Sequence, residues 1–63
     1  MNIDKSLQLI GAEIRKLREE TELSQEKFAH KIDIDRTYYS GIERGERNIS
    51  ALNLIKIAKG LEV

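Results

Sequence analysis

The apolar positions of this 63-residue chain recur at helical spacing from one end to the other. Leu7, Ile10, Ile14 and Leu17 follow steps of three and four, which place them on one stripe of a first helix. Glu13, Arg15, Lys16 and Glu19 cover its other face, and Leu23 follows beyond its end. Gly11 interrupts the pattern at a cost of about 1 kcal/mol relative to alanine. It fits either simple tolerance or the close approach of another element. Ser24 is a good N-cap, and Glu26 in the first turn suits the positive end of a helix dipole. The second helix, over about 25–32, then buries Phe28, Ala29 and Ile32.

Asp33-Ile34-Asp35 predicts a turn, because aspartate tolerates a left-handed backbone and also caps helices. The third helix spans about 36–44 with Tyr39, Ile42 and Glu43 inward by spacing, and Gly45 is placed to end it. A loop over 46–49 leads to Ser50, the cap of a fourth helix. That helix is expected to bury Ala51, Leu54, Ile55, Ala58 and Leu61, with Gly60 and the chain end closing it. No strand pattern is present. The predicted fold is all-α, one domain over 1–63 with four helices, or five if a last helix lies beyond this chain.

Composition narrows the chemistry. With no cysteine there is no disulfide framework, thiolate metal site or thiol nucleophile. No apolar run approaches the roughly 20 residues of a membrane span, and the start lacks a signal-peptide core. A cytoplasmic chain without membrane association is expected. Eleven basic and eleven acidic residues cancel, and neither half is markedly basic. Bulk charge therefore gives no support for a nucleic-acid partner, and any such role must rest on the placement of a few groups.

That placement exists. Two short helices joined by a three-residue turn form a helix-turn-helix geometry. Ala29 is small where the helices must cross, and Ile34 is apolar in the turn. With Tyr39 and Ile42 inward, the outward residues of the third helix are Arg36, Thr37, Ser40 and Gly41, with Tyr38 at the side. Arginine can form two parallel hydrogen bonds to guanine, and threonine can bond to a base edge or touch a thymine methyl. Gly41 removes bulk, which would let the helix sit deep in a major groove. Each residue alone is as well explained by an ordinary solvated surface; their combination is what points to DNA.

The strings Ser24-Gln25-Glu26, Ala29 and Ile42-Glu43-Arg44-Gly45, followed by Arg47-Asn48 and the closing KIAKGLEV, resemble the Xre-type helix-turn-helix family, the Cro/repressor-like DNA-binding domains. The resemblance runs from Leu7 to Val63. Within the family, DRTYYSGIERGERNIS is most similar to the controller proteins of restriction–modification systems. The resemblance implies a compact lambda-repressor-like domain with its helix-turn-helix at about 25–44. It implies base contacts from Arg36, Thr37, Ser40 and Gly41. It implies DNA-backbone contacts from Ser24, Gln25, Tyr38, Arg44, Arg47 and Asn48. Helix N-termini bind phosphate without net positive charge, which would reconcile DNA binding with a neutral chain. Arg18 and Glu43 match a pair that forms a partly buried salt bridge between the first and third helices. The chain departs from the family at Asp33, where glycine is usual, at Tyr39, where an aliphatic core residue is typical, and at Ile49, where proline is common.

The partners implied are a palindromic double-stranded operator, a second copy of the chain and RNA polymerase. Family members usually continue into a fifth helix that helps form a two-fold dimer. This chain ends at Val63, so either it is part of a longer protein or it dimerises through the fourth helix, where Leu52 and Ile57 would serve unless they complete the core. Two other functions fit a small helical domain: an antitoxin-like interaction module, or the DNA-targeting part of a larger enzyme such as a DNA methyltransferase. Catalysis by the chain itself is not expected, because its serines have no nearby base and Ser24 and Ser50 read as caps. No metal or other cofactor is expected, since His30 stands alone among scattered carboxylates and no glycine-rich phosphate loop is present.

Overall fold

The computed structural model describes residues 3–63, so the first two residues of the expected 1–63 domain lie outside the described residues. It consists of α1 (Ile3–Glu20), α2 (Gln25–Lys31), α3 (Arg36–Glu43) and α4 (Ala51–Leu61), with no strand among the described residues. Side-chain caps start three of them. Ser24 Oγ accepts from Lys27 N, an Asp35 carboxylate oxygen from Tyr38 N and Ser50 Oγ from Asn53 N, at 3.1–3.2 Å. Each satisfies one N–H that the first turn leaves without a helical partner.

Left-handed residues end the helices. Asp33 has φ +57° after α2, and Gly45 has φ +75° after α3. The α2 end is closed by Ile34 N–H to Ala29 O and Asp33 N–H to His30 O. The α3 end repeats the pattern with Glu46 N–H to Gly41 O and Gly45 N–H to Ile42 O. These paired reverse bonds are Schellman closures, and they satisfy carbonyls that a frayed end would expose. Glu22 (φ +66°) and Glu62 (φ +61°) follow α1 and α4 in the same conformation.

The core is Ile14, Phe28, Ala29, Ile32, Ile34, Tyr39, Ile42 and Ile57, with Leu23, Tyr38, Ile49 and Leu61 packed against it. Phe28 and Tyr39 meet with ring centroids 5.4 Å apart and planes tilted by 48°. α3 is the central element, packed on both α1 and α2. Gly11 belongs to that packing. A Cβ there would collide with the carbonyl oxygens of Ile42 and Glu43, so the α1 backbone lies directly on the end of α3. Of the two readings of Gly11, close approach is the correct one.

Two expected faces differ from those observed. On α1 only Ile14 of the predicted stripe is buried; Leu7 and Leu17 are half-buried and Ile10 is exposed. On α4 the inner face is Ile57 and Gly60, with Ala58 and Leu61 partly covered, whereas Ala51, Leu54 and Ile55 are exposed. Leu52, Leu54, Ile55 and Ile57 are all apolar, so spacing alone could not select the buried face of α4. Geometry selects Gly60 as well: its missing side chain makes room for Ile32 and Phe28, and α4 continues through it to Leu61. Ile57 completes the core, while Leu52 stays outside it.

Candidate nucleic-acid interface

Helix α3 carries two opposite faces. Tyr39, Ile42 and Glu43 point into the core. Arg36 and Thr37 are exposed and Ser40 is half-exposed. With Arg44 they line one shallow, open depression of about 220 Å³. The spacing 36, 37, 40, 44 is a single helical stripe, which is why these four side chains converge. Arg36 and Thr37 have no hydrogen-bond or ion-pair partner among the described residues. Their donors and acceptors are open to an incoming ligand.

Ser40, Arg44 and Tyr38, also expected at the site, are already engaged. Arg44 donates from Nη1 to Ser40 Oγ at 2.6 Å, and its Nε lies 3.2 Å from a Glu46 carboxylate oxygen. The Tyr38 hydroxyl donates to Asn48 O at 2.6 Å and so ties the 46–49 loop to α3. Glu46 escaped the sequence reading, because a pair two residues apart across a helix end leaves no periodic signal. Gly41, expected on the open face, is buried: the stem of Arg47 covers it, and a Cβ at Gly41 would lie 2.6 Å from Arg47 Cγ. The Schellman turn at Gly45 sends the chain back toward α3, so the residue after Glu46 lands on Gly41.

Beneath the open stripe, one carboxylate joins three helices. Arg18 Nε and Nη2 donate to Glu43 Oε2 and Oε1 at 2.7 and 3.1 Å, and Arg18 Nη1 donates to Leu23 O at 2.9 Å. Gln25 Nε2 adds a 2.8 Å bond to Glu43 Oε1. An ionised carboxylate only accepts, so this contact fixes which way the Gln25 amide faces. Burial alone would push the Glu43 carboxyl upward; the bonds from Arg18, and with them the Gln25 amide, outweigh it and hold the group below the usual carboxylate range. The bond with Glu43 conversely raises Arg18. Tyr39 Oη is buried beside this pair without reaching hydrogen-bond geometry. Burial first, and the adjacent Glu43 carboxylate second, raise its phenol well above the tyrosine range. The network ties α1, α2 and α3 together through one carboxylate and fixes the Gln25 amide at the start of α2.

Among the described residues no group of three or more His, Cys, Asp or Glu side chains could hold a metal, and no helix is long and apolar enough to cross a membrane.

The chain matches the helix-turn-helix family over residues 14–63. It belongs to this family. It is 59% identical over 54 residues to the control protein C.MunI of Mycoplasma sp, covering 84% of this chain and 73% of that one. Its structure resembles the restriction–modification controller protein C.AhdI from Aeromonas hydrophila, with a TM-score of 0.94 and 38% identity, over 100% of this chain and 91% of that chain. It also resembles the controller C.Esp1396I, solved as a tyrosine-to-phenylalanine variant bound to its highest-affinity operator site OM (TM-score 0.81, 46% identity, 90% of this chain and 75% of that chain). Solved variants of C.Esp1396I replace an arginine, a threonine and a tyrosine at three consecutive positions. That string occurs once in this chain, as Arg36-Thr37-Tyr38.

Proposed function

We propose that this chain is a sequence-specific double-stranded-DNA-binding transcriptional regulator whose third helix enters the major groove, and that it controls genes of a restriction–modification system. The observation that carries this reading is the open stripe of Arg36, Thr37, Ser40 and Arg44 on a helix whose opposite face is fixed in the core. Arg36 and Thr37, without internal partners, are the base readers, with Ser40 beside them. Ser24, Gln25, Arg44, Arg47 and Asn48 flank them as backbone contacts that set the register. Tyr38 belongs with that group chiefly through Asn48: a phosphate oxygen can only accept, so a direct bond would require its hydroxyl to leave the Asn48 carbonyl.

The chain acts as a regulator rather than an enzyme, at an operator inside the cell, by occluding or contacting RNA polymerase. A homodimer on a palindromic operator, with half-sites about one helical turn apart, is the expected complex. Leu52, Leu54 and Ile55 on the outer face of α4 are the apolar surface available for that pairing. Selection of the protein against randomised duplex DNA, followed by mobility shift at physiological salt, tests the proposal. A two-fold-symmetric consensus supports it; enrichment of no consensus contradicts it.

A further inference from the structure

We propose that Gly41 is a positioning residue for Arg47: its bare backbone is the seat on which the Arg47 stem is held in place for DNA, and Gly41 itself meets no base. This rests on the DNA-binding reading above. A Cβ at Gly41 would lie 2.6 Å from Arg47 Cγ, 3.4 Å from Nε and 3.6 Å from Cδ. Three successive atoms of the stem thus run along the helix over Gly41. The tightest of them, Cγ, is placed by χ1, so a Cβ at Gly41 would turn the whole stem out of its present rotamer rather than displace its tip alone.

Nor can the loop that carries Arg47 easily retreat. Glu46 N–H is bonded to the Gly41 carbonyl at 2.9 Å and Gly45 N–H to Ile42 O at 3.0 Å. Gly45 is backed by Gln8 of α1, and a Cβ there would meet Gln8 Cγ at 2.6 Å. On the far side Asn48 O is held by the Tyr38 hydroxyl at 2.6 Å. Arg47 is therefore flanked by fixed backbone on both sides, with its stem on a residue that has no side chain. An unseated arginine loses much rotamer freedom when it binds, and a seated one has lost part of it already. Glycine inside a helix is otherwise a poor choice. At this position it leaves the space that the arginine fills.

A double-mutant cycle decides the matter. Full-length wild type, G41A, R47A and G41A/R47A are compared on the same operator duplex and on an unrelated duplex over a range of salt, with circular dichroism confirming the fold. In G41A, affinity for both duplexes should fall roughly tenfold, the scale of re-ordering one long side chain. Its salt dependence should also move toward that of R47A. In the R47A background the Gly41→Ala change should cost nothing further. Persistence of the full loss in the R47A background, a changed base preference in G41A, or wild-type binding by G41A would each overturn the proposal. Nuclear magnetic resonance of the Arg47 Nε–Hε group without DNA separates this from failure of the DNA-binding reading. Order in the wild type and its loss in G41A establishes the seat even if no duplex binds, and equal order in both refutes it.

Discussion

Glu43 is the residue on which the geometry of the site most depends. Its buried carboxylate takes bonds from α1 through Arg18 and from α2 through Gln25, while its own helix carries the open stripe. Arg18→Met would leave that charge buried and unpaired, and should cost about 3–5 kcal/mol in chemical denaturation. Because Glu43 is held below its ordinary value near 4.5 in the folded state, the stability it contributes is complete above that value. It is lost as the pH falls from there through the folded-state pKa. Acid titrations of wild type and Glu43→Gln should therefore converge progressively as the pH falls below the ordinary glutamate value, with the wild type losing more. Tyr39→Phe removes a buried hydroxyl that has no hydrogen-bond partner, and should be neutral or stabilising within about 1 kcal/mol in thermal melts. Spacing alone made Glu43 an inward residue. Its arginine partner was legible only through family resemblance, since the two lie 25 positions apart. The Gln25–Glu43 bond has no signal in the spacing either, because the two residues lie 18 positions apart.

The helices are defined by their ends. Ser24, Asp35 and Ser50 are caps both by residue type and by geometry, because a short polar side chain before an apolar run has one obvious task. The C-terminal ends were half legible. Asp33 and Gly45 are residue types that reach the left-handed region, whereas Glu22 and Glu62 adopt it with no such signal. Asp33→Gly should be neutral or stabilising by up to about 1 kcal/mol, because glycine takes this conformation without steric cost. Asp33→Val should destabilise by more than that, β-branching being least compatible with positive φ. Gly45→Ala should be worse still, since strain at φ +75° is added to collision with Gln8. Urea denaturation of the three variants checks the order. The face of α4 was illegible because its sequence is apolar on more than one side, and only contact with Phe28 and Ile32 decides which residue, Gly60, faces inward.

At the scale of the molecule, two of the surfaces left outside the core bear on function: the polar stripe of α3 and the apolar outer side of α4. The stripe was legible because subtracting the inward residues of an amphipathic helix leaves few alternatives. The exception was Gly41, whose burial depends on the return path of the loop. If α4 pairs two copies, Leu52→Glu with Ile55→Glu should leave the fold intact and shift sedimentation toward monomer, since both side chains lie outside the core. The central claim is a division of labour on the α3 face, with Arg36 reading sequence and Arg47 holding the backbone. Its most direct test is the affinity of Arg36→Ala and Arg47→Ala for the selected operator and a scrambled duplex, between about 50 and 200 mM salt. Arg36→Ala should lose about 1–3 kcal/mol on the operator alone and relax the sequence preference. Arg47→Ala should weaken both duplexes alike and reduce the salt slope by about one. Equal loss of preference in both variants, or an unchanged preference in Arg36→Ala, would contradict the account.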